Sequence, residues 1–218
     1  MQAIMETSFD VAYLCTVTLL GIWMVRHANQ KQYLYFGIMA IILGCGDAFH
    51  LIPRAIALCT TGLEAHAASL GFGKLVTSIT MTIFYVLLYY VWELRYQKKS
   101  RNLTIFVYVL AIIRILLCMF PQNDWFVYQA PLSWGIYRNI PFMIFGLLII
   151  YLFYTEAGKQ KDKAFGSMWI AILLSFAFYL PVVLFADQYP LIGILMIPKT
   201  LAYVWVVWMG FQECRRKL

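Results

Sequence analysis

The chain has 218 residues, 63% of them hydrophobic and 12% charged. A soluble domain is roughly 45–50% apolar and about 25% charged, so these proportions exclude an ordinary water-soluble fold. The formal charge of +7 raises nucleic acid as a partner. Most of the basic residues, however, stand in short clusters between apolar runs, where they act as membrane-orientation signals, and nucleic-acid binding is excluded on that ground.

Apolar runs divided by polar breaks predict helices near 8–26, 34–57, 69–94, 103–120, 135–156, 164–186 and 190–212. Each has about the twenty residues that cross the hydrocarbon of a bilayer. Together they use up almost the whole chain. They predict a single all-α domain over 1–218, a polytopic bundle of seven transmembrane helices in the cell membrane. The stretch Met1 to Asp10 carries Glu6 and Asp10 but no Lys or Arg, unlike the basic start of a cleaved signal peptide, so the first helix is expected to be retained.

The breaks after the first, third, fifth and seventh helices hold Arg26 and Lys31; Arg95, Lys98, Lys99 and Arg101; Lys159, Lys161 and Lys163; and Arg215, Arg216 and Lys217. These are 12 of the 17 basic residues, all in alternate breaks. The positive-inside rule then puts the N-terminus outside and the C-terminus in the cytoplasm. Trp125, Tyr128, Trp134 and Tyr137 flank the break after the fourth helix, as an outer aromatic belt would. Pro53 and Pro181 interrupt the middle helices of two groups of three, as in transporters arranged three, one and three.

Five basic residues remain: Arg54, Lys74, Arg114, Arg138 and Lys199, each on a different helix and each expected in the outer half of the bundle. A charge at the centre of a span costs roughly 2.5–3.5 kcal/mol, so such residues face the bundle interior or water and have partners. The second helix offers one. In LGCGDAFHLIPR, Asp47, His50 and Arg54 recur at i, i+3 and i+7 and share a face, while Gly44 and Gly46 let a neighbour approach beside Asp47. Asp47 is expected to pair with Lys199 or Arg114. The five cations, with Asn139 and Tyr203, are expected to converge on an outward-facing pocket for an anionic amphiphile or membrane lipid. The other outer acids, Glu6, Asp10, Glu64, Asp124 and Asp187, are assigned to water. The bland alternative is a structural Asp47 pair, with Arg54, Lys74 and Arg138 reaching to the interface.

The five cysteines have no metal-ligand spacing, and neither a metal nor another cofactor is expected. Cys15 and Cys45 read as small packed hydrophobes, and a Cys59–Cys118 bridge is left open. His66, beside Glu64, is expected in water.

The run GDAFHLIPR, Gly46 to Arg54, resembles the Gly-Asp segment of the lysoplasmalogenase-like membrane proteins. GFGKLVTSITMTIFY from Gly71, LLSFAFYL from Leu173 and PKTLAYVW from Pro198 follow in that family's order, covering about half the chain with them. This chain has Phe176 after Ser175 where the family has a second acid, Thr77 and Ser78 near an expected histidine, and one helix fewer. The resemblance implies a hydrolase of the vinyl-ether bond of a lysophospholipid, with Asp47 as the position carried over. Chemically, Asp47 and His50 one turn apart would position a water and shuttle its proton. A transporter or receptor for a small anionic solute is the alternative. A Schiff-base lysine for retinal is a further reading of Lys199, without a rhodopsin-like motif around it.

Overall fold

The polar breaks fall where the backbone leaves the helix. A computed structural model describes residues 2–128, 130–186 and 188–218, with the side chains of Gln2, Ala3 and Pro190 excepted. Asp187 therefore lies outside the described residues. The helices are α1 (Gln2–His27), α2 (Lys31–Cys59), α3 (Ala67–Tyr96), α4 (Arg101–Met119), α5 (Leu132–Lys159), α6 (Met168–Phe185) and α7 (Met196–Arg216), and no strand occurs among the described residues. All seven spans are long and apolar enough to cross a membrane.

Three boundaries differ from the sequence reading. Helix α1 starts at Gln2, six residues early, because Glu6 and Asp10 continue the helix against α2. Helix α6 starts at Met168 because Asp162 Oδ1 accepts from the backbone N–H of Ala164 at 3.1 Å and of Phe165 at 3.3 Å, holding this stretch as a turn. The last helix is preceded by a 3-10 segment, Pro190–Leu195, and turns α-helical only at Met196.

Helices α1 to α3 are neighbours, as are α5 to α7, with α4 packed on α3 and α5. The two groups of three are not separate bundles: α7 packs on α1 and α2, and α3 packs on α5. Pro53 and Pro181 are joined inside helices by Pro141 of α5. Helices α3 and α5 are the most buried spans. Phe84, Tyr85, Leu88 and Tyr89 of α3 and Ile149 and Phe153 of α5 are completely enclosed. Large apolar side chains such as Phe106, Ile112 and Leu116 of α4 instead cover the outside of the bundle, as hydrocarbon requires and water penalises.

Contacts define two ends. At one, which we call the N-terminal end, Glu6 near the start of α1 meets Arg54 near the end of α2, and the start of α3 at Gly71 abuts the backbone carbonyl of Trp125 after α4. At the other, the basic end, the Asn29 side chain donates to the Lys217 carbonyl at 2.9 Å, and Arg95 ties three segments together. Its Nε and Nη2 each donate to Asp162 at 2.8 Å, its Nη1 donates to Glu213 of α7 at 3.0 Å, and its guanidinium lies 4.4 Å over the Phe165 ring. Tyr96 adds a hydrogen bond to Asp162, and Arg216 pairs with Glu213 at 2.8 Å. Arg95 and Asp162 are only 14% and 9% exposed in their side chains, so this is a buried network.

Burial alone would raise the Asp162 carboxyl, but the hydrogen bonds and charge of Arg95 prevail and hold it below its usual value of 3.8. Its contribution is therefore complete above that pH and is lost as pH falls below it. Asp162→Asn, which leaves Arg95 undercompensated, is expected to cost on the order of 3 kcal/mol at neutral pH. In thermal unfolding of the detergent-solubilised protein, the gap between wild type and variant should close as the pH drops below about 3.8.

Candidate functional site

At the N-terminal end α1 and α2 present matching polar stripes. Glu6, Asp10 and Tyr13 at i, i+4 and i+7 face Asp47, His50 and Arg54 at i, i+3 and i+7. Tyr13 donates to Asp47 Oδ2 at 2.6 Å, Arg54 pairs with Glu6 at 3.1 Å, and the charge of Asp10 acts on both Arg54 and Asp47. Small residues make the approach close enough. A Cβ on Gly44 would run into Thr18 and Val17 of α1, and one on Gly46 would run into Thr80 of α3. Thr77 of α3 donates to the Gly46 carbonyl at 3.1 Å, fixing the turn that carries Asp47.

The expected ion pair of Asp47 with Lys199 or Arg114 is corrected. No Lys or Arg among the described residues comes within salt-bridge distance of Asp47, whose close partner is the Tyr13 hydroxyl. Lys199 acts on Asp47 as a charge from beyond that distance. Asp47 and His50 also do not form a hydrogen-bonded pair: the His50 Nδ1–H donates across to the Leu70 carbonyl of α3 at 3.3 Å. One helical turn aligned them on a face, and each found its partner on a different neighbouring helix.

A second polar group lies deeper, built by α3 to α7. Arg114, roughly 20 Å along α4 at about 1.5 Å per residue, is only 3% exposed. Its guanidinium carbon stacks 3.2 Å over the Phe142 ring of α5, and its Nε and Nη1 have no hydrogen-bond partner. Phe142 packs on Tyr85 of α3 and on Phe176 and Tyr179 of α6. The Lys199 ammonium sits 5.0 Å from the Tyr179 ring and 5.7 Å from that of Tyr203, both within the range of cation–π attraction. The Tyr203 hydroxyl lies 3.3 Å from that of Tyr85, and Tyr179 donates to Asn139 Oδ1 at 3.1 Å. Asn139 in turn donates to the Gly135 carbonyl at 2.8 Å. Arg114 and Lys199 thus share an aromatic box, and their charges act on each other.

The five cations do not meet at one point, which corrects the expected convergence. Arg114 and Lys199 come together with Asn139 and Tyr203. Arg138 adjoins from the rim, its Nη1 donating to Asn123 at 2.7 Å and its guanidinium lying 4.2 Å over Trp125, a buried wedge and not a belt residue. Arg54 is engaged by Glu6, and Lys74 is exposed, with its charge acting on His50. Glu6 and Asp10, assigned to water, are half-buried.

Two hollows of about 530 and 340 Å³ lie along the connection after α4, lined in part by Pro121, Asp124, Trp125 and Trp134, and belong to neither polar group. The cysteines are free: Cys118 is buried and Cys59 exposed, so they are not bridged, and Cys15 and Cys45 lie on the outside of the bundle instead of in its core. Among the described residues no three His, Cys, Asp or Glu side chains cluster to hold a metal ion.

The sequence reading missed Tyr13, Tyr85 and Tyr179. Tyr13 carried a signal, the i, i+4, i+7 spacing with Glu6 and Asp10; the other two stand in aromatic runs that mark nothing. Comparison of the chain with protein families, with curated proteins and with solved structures finds no match.

Proposed function

We propose that this is a multi-pass protein of the cell membrane that binds the anionic headgroup of a single-chain amphiphile between Arg114 and Lys199. The N-terminus lies outside and the C-terminus in the cytoplasm, and the ligand enters from the outer leaflet. The observation that carries this reading is Arg114: a guanidinium enclosed in the bundle, stacked on an aromatic face, with two nitrogen donors unpartnered and a second cation beside it. Buried donors without acceptors cost about 1–3 kcal/mol, more for charged groups. A phosphate or carboxylate supplies both the missing acceptors and the missing charge. Phe142 and Phe176 give the apolar wall that an acyl chain prefers. The orientation is supported by the 12 of 17 basic residues gathered at one end.

A tag after Leu218 is then reachable only from the cytoplasm and a tag before Met1 only from outside. Both tags on one side would overturn the orientation. In neutral detergent the protein is expected to bind oleoyl lysophosphatidylglycerol in preference to the zwitterionic choline lipid. Arg114→Gln and Lys199→Gln are each expected to weaken binding by roughly 10- to 100-fold, the worth of about one charge-assisted hydrogen bond. Equal binding of both lipids, or no effect of either substitution, refutes the site. If inorganic phosphate binds with the same dependence and competes with the lipid, a transporter or receptor for a small anionic solute is favoured.

Cleavage of the bound lipid, which the lysoplasmalogenase-like resemblance implies, is a second reading. It is favoured by the carboxylate of Asp47 inside a span with the Tyr13 hydroxyl as its donor. Turnover of a lysoplasmalogen that disappears in Asp47→Asn supports it, and full recovery of intact lipid refutes it.

A further inference from the structure

The basic end carries more cations than its own acids can serve. Its four acids, Glu93, Glu156, Asp162 and Glu213, are all engaged by the protein. Glu93 accepts from Tyr89 at 2.9 Å, Glu156 lies between Lys98 and Lys159, Asp162 holds Arg95, and Glu213 holds Arg95 and Arg216. Among the described residues Arg26, Lys31, Arg215 and Lys217 have no ion pair, and all four are exposed.

Like charges repel, yet contacts hold these residues along one seam between α1 and α7. Trp23 of α1 meets Phe211 of α7 edge-on, with ring centroids 4.9 Å apart, and beyond them the Asn29 side chain donates to the Lys217 carbonyl at 2.9 Å. Arg26 stands at i+3 from Trp23 and Arg215 at i+4 from Phe211. Each therefore follows, one turn along the same helical face, an aromatic residue that touches the other helix. The seam thus has an arginine on each side and rings below them. Trp208, 42% exposed and 5.3 Å from Phe211, continues the rings onto the outer surface of α7, and Leu19 of α1 is likewise exposed.

We propose that this seam binds the phosphodiester of an anionic two-chain phospholipid from the leaflet at the basic end. The phosphate lies between Arg26 and Arg215, whose forked donors match its oxygens. The glycerol rests on the indoles, as aromatic side chains do at a membrane interface, and the chains run down the apolar outer sides of α1 and α7. A lipid is favoured over an acidic protein because the rings between the two arginines pass directly into apolar surface. The seam faces outward, whereas the Arg114–Lys199 site is enclosed in the bundle, so the two stand or fall separately.

The test is titration of the full chain in neutral detergent with dioleoyl phosphatidylglycerol and with dioleoyl phosphatidylcholine, the bound lipid being counted by native mass spectrometry. Wild type is expected to prefer the anionic lipid. Arg26→Gln with Arg215→Gln is expected to weaken its binding by roughly 10- to 100-fold, with the unfolding midpoint in lipid-free detergent unchanged. Lys99→Gln with Arg101→Gln removes the same charge from the connection before α4, which packs on neither α1 nor α7, and is expected to cost less than about fivefold. Arg26→Lys with Arg215→Lys keeps the charge without the fork and is expected to fall between the two pairs. Equal losses in the two glutamine pairs make the attraction a diffuse property of the basic end and overturn the seam. No preference for the anionic lipid in wild type, no loss in Arg26→Gln with Arg215→Gln, or a lysine pair as weak as that glutamine pair overturns it as well.

Discussion

A guanidinium enclosed by helices apolar enough to cross a membrane must be compensated, and Arg114 is compensated by the face of the Phe142 ring, with no carboxylate paired to it among the described residues. A cation over a desolvated ring gains about 2 kcal/mol, comparable with what a charge costs at the centre of a span. That balance lets the protein fold with the cation in place. It also leaves Nε and Nη1 without hydrogen-bond partners, and the proposed anion site rests on these unused donors. The basic end makes the contrast plain: Arg95 spends all three of its guanidinium nitrogens on Asp162 and Glu213 and has nothing left for a ligand.

The bundle is organised around this difference. Helices α3 and α5, the most buried, supply Tyr85 and Phe142 as the floor and side of the aromatic box. The network of Arg95 joins α3, the connection after α5 and α7 at the far end, so the helices that build the box are clamped where the box is not. At the N-terminal end, among the described residues, the links include the ion pair of Arg54 with Glu6 and the hydrogen bonds of Tyr13, His50 and Thr77.

Seven helices were legible in the sequence because lipid-spanning segments need about twenty apolar residues and little else. The stripe on α2 was legible too, since i, i+3 and i+7 positions share a face whatever packs against them. What a stripe does not contain is its partner. Asp47 and His50 were aligned by periodicity, yet one turned to Tyr13 on α1 and the other to the Leu70 carbonyl on α3. Arg95 read as an orientation signal by composition, because nothing local marks Asp162 and Glu213 as its partners across the fold. The box was half legible: Arg114, Asn139, Lys199 and Tyr203 stood out as polar groups in apolar runs. Phe142, Tyr179 and Tyr85 could not, because in a chain that is 17% aromatic a ring that holds a cation looks like one that fills a core.

The most direct measurement of the central claim is an experimental map of the protein purified with oleoyl lysophosphatidylglycerol, at a resolution that separates a phosphate from a ring. The account predicts phosphate density within hydrogen-bond reach of the Arg114 guanidinium and the Lys199 ammonium, with the acyl chain leading out between helices at the N-terminal end. Phosphate density confined to surface residues such as Lys74, with the Arg114 nitrogens bonded to protein side chains or closed off, would contradict it.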